Sequence, residues 1–268
     1  MITVKHIKNL DGLKDLIFEQ TYNESIDRMR SSYFYRGMPD DSYKLISSLR
    51  RNCKDAYKAL EQPLLDNFIK YVRIEDPTIN ESVWKAMVIG QHYGLPTRLL
   101  DWTHSTLVAL HFANTEDNLD MLSQRDCVVW RIDLRDLNRN LPEKYKEHLA
   151  GKKSFVFSLD GLTEVAESIA QYDEDMGNNA MVCFEPPSID QRIANQYSFF
   201  SVVPNGIEDL ETFLDGHTEN TVKYIIDKSL RWDLRDYLDQ FNINERMIYP
   251  GKAGIAKWLA RHYFVKAK

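Results

Sequence analysis

The chain concentrates chemistry-bearing side chains in the segment 91–103. An amide, an imidazole, a guanidinium and a carboxylate surround a glycine and a proline there: Gln91, His92, Arg98 and Asp101. A turn between two helices presents polar side chains at the helix ends, where functional groups often lie. Arg98 and Asp101 are three residues apart and can pair across a tight loop. A structural alternative is equally open, in which this pair is buried and Trp102 belongs to the core.

A second candidate is the run Tyr35-Arg36-Gly37, which ends a short aromatic stretch. A guanidinium at the end of a buried strand is costly unless an anion or a carboxylate meets it. A glycine beside it allows another backbone to approach closely. The alternative is that Arg36 simply pairs with an acidic residue such as Asp101. Because neither Arg36 nor the segment 91–103 has an obvious local partner, we predict that the two lie in one cleft.

A third candidate is the stretch 192–200. Arg192 and Gln196 are four residues apart, so a helical turn places them on one face. Phe199 and Phe200 then begin a strand. Taken alone, the stretch predicts a helix-to-strand junction with no special function.

The elements that must hold these residues indicate an α+β fold. Helical periodicity predicts helices at 10–30, 55–73, 81–93, 107–114, 230–241 and 255–264. Thr103 or Ser105 is placed to cap the fourth of these. Strands are predicted at 127–132, 154–159, 180–184, 198–203 and 222–226. We therefore predict a helical N-terminal part packed on a mixed or mostly antiparallel sheet. No linker marks a boundary, so residues 1–268 are predicted to form a single composite domain.

Composition narrows the classes of function. A net charge of -6 argues against bulk attraction to nucleic acid. No apolar run reaches the length of a membrane span, and no secretory segment follows Met1. The widely spaced Cys53, Cys127 and Cys183 imply neither a metal site nor a disulfide framework. We expect a cytoplasmic protein without a metal and without membrane contact. The lack of P-loop, Rossmann and zinc-protease motifs disfavours those enzyme classes.

Together the motifs resemble the FRG domain family. That family is named for an aromatic-Arg-Gly motif, which Tyr35-Arg36-Gly37 matches with Tyr in place of Phe. Its strongest signature is similar to the segment 91–103 and the residues after it, Ala109, Phe112 and Ala113, and a further block is similar to Arg192, Gln196 and Phe200. The resemblance spans about residues 30–205 and leaves 206–268 as an α/β extension. The family's association with bacterial and phage genomes implies a role in phage defence or as a toxin.

A second resemblance, to ADP-ribosyltransferases of the Arg-Ser-Glu type, implies a fold and a mechanism. In such a site Arg36 binds the phosphates of NAD, and Thr103 or Ser105 orients the site. Tyr35 or Trp102 stacks on the nicotinamide. The catalytic glutamate is expected near Gln196, which is neutral, so Asp101, Glu185 and Asp190 are the alternative carboxylates.

The candidate residues then fall into two groups. The catalytic candidates are Asp101, Glu185, Gln196 and His92. The substrate-binding candidates are Tyr35, Arg36, Gly37, Gln91, Arg98, Trp102, Thr103, Ser105 and Arg192. One hypothesis is an NAD-dependent ADP-ribosyltransferase or NAD glycohydrolase. A second is a non-catalytic module whose cleft binds a nucleotide, a nucleic-acid end or a peptide. A third is a regulatory protein of a conflict system that acts through protein contacts.

Overall fold

The computed structural model describes residues 1–266, and an eight-stranded mixed sheet organises them. The strands of this sheet are β1 Thr3–Ile7, β4 Tyr33–Met38, β5 Leu99–Thr103, β6 Cys127–Asp133, β7 Phe157–Ser158, β8 Val182–Glu185, β9 Ser198–Val202 and β10 Val222–Ile226. Two further strands, β2 Tyr22–Asn23 and β3 Arg28–Met29, form a separate small hairpin.

Helices connect the strands along the whole chain. They are α1 Leu10–Ile17, α2 Ser48–Cys53, α3 Tyr57–Val72, α4 Val83–His92, α5 Thr106–Ala113, α6 Leu134–Arg139, α7 Glu143–Gly151, α8 Leu159–Val165, α9 Ile169–Met176, α10 Gln191–Gln196, α11 Leu210–His217, α12 Arg231–Gln240, α13 Glu245–Ile248 and α14 Lys252–His262. Within residues 1–266, no helix has the length and apolar character needed to cross a bilayer.

The strand order in the sheet is β1-β10-β6-β4-β5-β9-β8-β7. The outer pairs β1–β10 and β7–β8 are parallel, and the pairs between them are antiparallel. Strand β10 comes from the C-terminal part of the chain and lies between β1 and β6, so that part shares the sheet with the rest. The predicted α+β class with a mixed sheet is therefore confirmed.

The sheet is divided at its centre. Strands β4 and β5 share a single ladder pair, Tyr35 with Thr103, whereas β4 follows β6 along its whole length. The residues beyond that pair lack a cross-strand partner on this side. Two groups of four strands, β1-β10-β6-β4 and β5-β9-β8-β7, therefore meet at one point.

Three apolar cores pack the helices onto the sheet. The first lies on β5, β8 and β9 under α4, α8 and α9. The second crosses from β4 and β6 to β5 and β9 under α6 and α11. The third lies on β10, β6 and β4 under α1, α5 and α12. Each group of strands thus has its own core on one face, and the two groups share the second core.

Several predicted elements are confirmed and others are corrected. The helices predicted at 55–73, 81–93 and 107–114 are present with shifted ends. The helix predicted at 10–30 ends at Ile17, and the hairpin of β2 and β3 follows. The turn predicted between α4 and α5 is wrong, because its second half forms strand β5. The helices predicted at 230–241 and 255–264 are present as α12 and α14, but helices α6 to α9 and α11, which were not predicted, also separate the strands between β6 and β10.

Candidate functional site

A cleft of about 250 Å³ opens where β4 and β5 separate. Its lining comprises Tyr35, Arg36, Gly37, Gln91, Asp101, Trp102, Thr103, Phe112, Arg192, Gln196 and Ser198. The three candidate stretches of the sequence, although far apart along the chain, therefore meet here. In particular, Arg36 and part of the segment 91–103 line the same cleft.

Helix α5 lies directly against β4 at Gly37, where an added Cβ atom would come within 1.9 Å of the carbonyl oxygen of Ala109 and 2.4 Å of the amide nitrogen of Ala113. Only glycine fits at this crossing, because both obstacles are backbone atoms. The glycine and the two alanines of the family-like pattern are therefore one packing unit, which sets the position of α5 beside the cleft.

The guanidinium of Arg36 bridges the gap between the strands. Its Nη1 donates to the backbone oxygen of Asp101 at 2.7 Å and lies 3.4 Å from the carboxylate oxygen Oδ2 of the same residue. Its Nε is buried and has no hydrogen-bond partner among residues 1–266. Burial lowers the pKa of Arg36 from its usual value, and the nearby Asp101 carboxylate opposes that shift. The cation is thus held in place with donors to spare.

Asp101 keeps one carboxylate oxygen open. Its Oδ2 accepts from the Nε2 of Gln91 at 3.1 Å as well as facing Arg36. Gln91 is itself oriented, because its Oε1 accepts from the Oγ1 of Thr97 at 2.6 Å. Oδ1 accepts no hydrogen bond from the described residues, and the side chain is 56% exposed. The carboxylate is therefore fixed on one side and available on the other.

Helix α10 contributes Arg192 and Gln196 to the lining of the cleft. Arg192 lies over the ring of Tyr249 at 5.2 Å and has no ion pair or hydrogen bond within the described part of the chain. Gln196 is anchored through its side chain and its backbone. Its Nε2 donates to the backbone oxygen of Ile248, and its backbone oxygen accepts from the Oγ1 of Thr103 at 2.7 Å. The predicted helix-to-strand junction is confirmed, with Arg192 and Gln196 both facing the cleft.

Arg98 does not pair with Asp101. It is buried and donates to both carboxylate oxygens of Glu61 and to those of Asp173. Burial disfavours its charge, but the hydrogen bonds that Arg98 donates to Glu61 and Asp173 raise the pKa of Arg98 above its usual value. Arg98 does not line the cleft, and its contacts with Glu61 and Asp173 favour the structural alternative, with partners other than Asp101.

Neither aromatic residue proposed to stack on a ligand is available to do so. The side chain of Tyr35 is 1% exposed and belongs to the third core. Trp102 belongs to the second core and donates to the Oγ of Ser201 at 2.9 Å. The reason is strand alternation, which turns these residues into the cores on the two faces of the sheet. Both nevertheless line the cleft.

The two hydroxyl candidates are engaged in structure. Thr103 is buried and donates to the carbonyl of Gln196, which ties β5 to the end of α10. Ser105 caps α5 by accepting from the amide of Val108, as expected of one of the two residues. Ser105 does not line the cleft, so its location does not support an orienting role there. Thr103 acts instead on the position of α10.

The other acidic candidates and His92 also lie elsewhere. Glu185 is exposed at the end of β8, beside β7, and lines a different depression. Asp190 caps α10, and its Oδ2 lies 2.8 Å from the Nε2 of His92. This contact ties the end of α4 to the start of α10, so His92 and Asp190 position the wall that carries Arg192. A direct catalytic role is therefore not supported by the location of Glu185, Asp190 or His92.

Three residues of the site were not predicted as site residues. Phe112 and Ser198 line the cleft, and Tyr249 supports Arg192. Phe112 was visible only as part of the family-like pattern. No local signal marks Tyr249, because it comes from the C-terminal part of the chain through tertiary packing. Among residues 1–266, no group of three or more His, Cys, Asp or Glu side chains is arranged to hold a metal ion.

Comparison with known proteins adds one match. The family model of the FRG domain matches residues 31–121, a range that includes the aromatic-Arg-Gly motif, the segment 91–103 and helix α5. The block of Arg192, Gln196 and Phe200 lies outside the matched range, so its place in the family pattern stays a prediction. No curated protein and no solved structure matches the chain, and the likeness to ADP-ribosyltransferases stays a prediction as well. The chain carries an FRG domain at residues 31–121.

Proposed function

We propose that the cleft between β4 and β5 binds a phosphate-bearing nucleotide, with NAD as the first ligand to test. The observation that carries this proposal is the guanidinium of Arg36, which is held by one backbone oxygen while its Nε has no partner. A buried guanidinium with unused donors is a favourable partner for a phosphate, whose oxygens accept two parallel hydrogen bonds.

The charges around the cleft support an anionic ligand. Two guanidinium groups, those of Arg36 and Arg192, face one carboxylate, that of Asp101. Arg192 is free of ion pairs within the described residues and lines the same cleft as Arg36. The amides of Gln91 and Gln196 and the ring of Phe112 add groups suited to a ribose and a base. A volume of about 250 Å³ accommodates part of a dinucleotide, so the remainder would extend along the mouth.

The finer form of the proposal is cleavage of NAD. Breaking the bond between C1′ and the nicotinamide nitrogen sends the electron pair to nicotinamide, and positive charge develops on the ribose. A fixed carboxylate stabilises that charge. Asp101 is the acidic residue of the cleft lining, and its Oδ1 is open. Water, or an acceptor hydroxyl or amine, then adds to C1′ and loses a proton. A role in a bacterial or phage conflict system belongs to this proposal and rests on the family resemblance.

The second candidate function is nucleotide binding without catalysis. It is favoured by the contacts of Asp101, because Gln91 and Arg36 already neutralise part of its field through Oδ2. It is also favoured by Gln196, which is neutral where the resemblance implies a glutamate. In this form the cleft recognises a nucleotide and the bound state acts on a partner molecule.

The test combines binding and product release. Purified protein is titrated with NAD by calorimetry, and nicotinamide is followed by chromatography with and without a cell lysate as acceptor. We expect NAD to bind and nicotinamide to be released. Asp101→Asn should lower the release rate about 100-fold or more, because it removes the charge while keeping the side-chain shape.

Glu185→Gln is the matched control, since it makes the same chemical change at an exposed carboxylate outside the cleft. It should release nicotinamide at the wild-type rate. Release that survives Asp101→Asn would exclude this carboxylate from the mechanism. Binding without release would favour the non-catalytic module. If NAD, ADP-ribose and ADP all fail to bind, the proposal of a nucleotide site is wrong.

A further inference from the structure

A second cavity, of about 210 Å³, shares no lining residue with the cleft, although Tyr249, which lines it, packs against Arg192 of the cleft. It is enclosed by the C-terminal end of α5 and the loop after it, together with α12, α13 and α14. Its polar lining includes His111, Asn114, Arg235, Glu245, Lys257 and Arg261. The cavity therefore lies between the last residues of the FRG domain and the C-terminal helices.

Arg235 contributes a buried cation that has no carboxylate partner among the residues that the structure describes. The residue is 2% exposed. Its Nη1 donates to the Nδ1 of His111 at 3.1 Å and its Nη2 to the carbonyl of Ile243 at 2.6 Å. Its Nε is buried and has no partner among residues 1–266. Burying a cation in this way is unfavourable unless an anion completes its contacts.

The neighbouring carboxylates of Glu245 and Asp239 are already paired with another arginine. Glu245 and Asp239 each form two hydrogen bonds with Arg261, at 2.7 to 2.9 Å. Arg231, one helical turn before Arg235, shows the alternative for a buried arginine. Its three nitrogens donate to four oxygen atoms of the surrounding chain, so no ligand is needed. Arg235 has neither the ion pairs of Arg261 nor the full set of acceptors of Arg231.

His111 adds a neutral donor to the same cavity. Because its Nδ1 accepts from Arg235, the proton of the neutral ring lies on Nε2, which has no hydrogen-bond partner within the described residues. Burial, followed by the charge of Arg235, lowers the pKa of His111 to about 3, so the ring stays neutral at physiological pH. Lys257 is exposed and also lines the cavity. Two carboxylates, Glu116 and Asp117, lie on the lining as well.

We propose that this cavity binds a small ligand through an oxyanion group, a carboxylate or a phosphate, which Arg235 and the Nε2 of His111 hold while Lys257 attracts it. The acidic residues of the lining favour a compact anion that reaches the inner wall over an extended polyanion, because the latter would meet Glu116 and Asp117. The site is separate from the nucleotide cleft and does not depend on the function proposed for it.

The experiment uses the full chain with Arg36→Gln, so that the cleft does not contribute to anion binding. Inorganic phosphate and acetate are titrated separately by calorimetry and by thermal unfolding, with chloride keeping the ionic strength constant. We expect saturable binding of at least one anion, and the stronger of the two identifies the oxyanion class. Adding Arg235→Gln should weaken it about 10-fold or more, as expected for the loss of hydrogen bonds to a charged group.

Matched controls decide whether the loss is local. Arg246→Gln removes an exposed arginine of α13 and should leave the affinity unchanged. Lys257→Glu should weaken binding about 3-fold or more, whereas Lys252→Glu, on the same helix but outside the cavity, should not. Should Arg235→Gln fail to fold, the pair of lysine variants carries the test. Lack of saturable binding by both anions, or equal affinity in the Lys257→Glu and Lys252→Glu proteins, would overturn the proposal.

Discussion

Two arginines of the FRG domain occupy opposite situations. Arg98 is 3% exposed, and its guanidinium is surrounded by the carboxylates of Glu61 and Asp173. Arg36 is also largely enclosed, yet it has one short hydrogen bond, to a backbone oxygen, and a longer contact to a half-exposed carboxylate. The first region is complete without any ligand. The second has a cation that does not use all of its hydrogen-bond donors.

The comparison shows that residue type and motif membership do not separate scaffold from site. Both arginines belong to the family-like pattern, and both are costly to bury alone. What separates them is whether the fold supplies enough acceptors. Glu61 lies on α3 and Asp173 on α9, so the Arg98 cluster joins two helices to the strand that begins at Leu99. Around Arg36 the described part of the chain supplies acceptors from Asp101 alone, and the cleft leaves space beside the guanidinium.

The largest effect is expected from breaking the Arg98 cluster. Arg98→Ala leaves two carboxylates largely buried without their cation, so we expect the free energy of unfolding to fall by about 3 to 5 kcal/mol. Denaturant unfolding followed by circular dichroism measures this change. Arg28→Ala, at an exposed arginine of the β2–β3 hairpin, is the control and should change stability by less than about 0.5 kcal/mol. A loss below about 1 kcal/mol at Arg98 would contradict the structural role argued from complete pairing.

Arg36→Lys tests the other side of the comparison. Lysine keeps the charge but loses the planar fork, so nucleotide affinity should fall about 100-fold, corresponding to about 2.7 kcal/mol. The free energy of unfolding should change by less than about 1 kcal/mol, since one hydrogen bond to a backbone oxygen is at stake. Calorimetry and denaturant unfolding on the same sample give both values. A large loss of stability with unchanged affinity would place Arg36 in the same class as Arg98.

A smaller effect concerns His111, on the helix that packs against Gly37. Burial, followed by the charge of Arg235, lowers the pKa of His111 from 6.5 to about 3. Between these values the unfolded chain binds a proton that the folded chain does not, so stability falls as the pH drops below 6.5. The loss from pH 7 to pH 5 should approach about 2 kcal/mol.

The measurement is denaturant unfolding at pH 7 and pH 5, compared between wild type and His111→Asn. Asparagine does not titrate and keeps an acceptor near the position of Nδ1, where Arg235 donates. The variant should therefore lose less stability than the wild type over this pH interval. Equal losses in the two proteins would show that His111 does not cause the pH dependence.

The sequence predicted the candidate site better than the elements that build it. Arg36, Gln91 and Asp101 were selected from their chemistry, Arg192 and Gln196 from the family resemblances, and all five line one cleft. The strand Leu99–Thr103 was missed because Gly94, Pro96 and a cluster of polar residues indicated a turn. Its five residues alternate between faces, with Leu100 and Trp102 in the second core, but the run is too short for that period to stand out.

The partners of Arg98 and His92 could not be predicted. Glu61 and Asp173 lie 37 and 75 residues from Arg98 along the chain, and nothing local distinguishes them from other acidic residues. The same holds for Asp190, which meets His92 only after α4 and α10 pack together. Side chains that pair across the fold are fixed by tertiary packing, so a reading of local pattern assigns them to the nearest charge in sequence, as it did for Arg98 and Asp101.

The single ladder pair between β4 and β5 has a mechanical consequence. Each group of strands is hydrogen bonded internally, whereas Tyr35 and Thr103 alone join the two groups through the backbone. The second core spans both groups and holds them together by apolar contacts, which resist separation but tolerate small rotation. We therefore expect the sheet to behave as two stiff plates with a compliant seam. The seam lies between Arg36 and Asp101, so a change in the angle between the two groups of strands would change the width of the cleft.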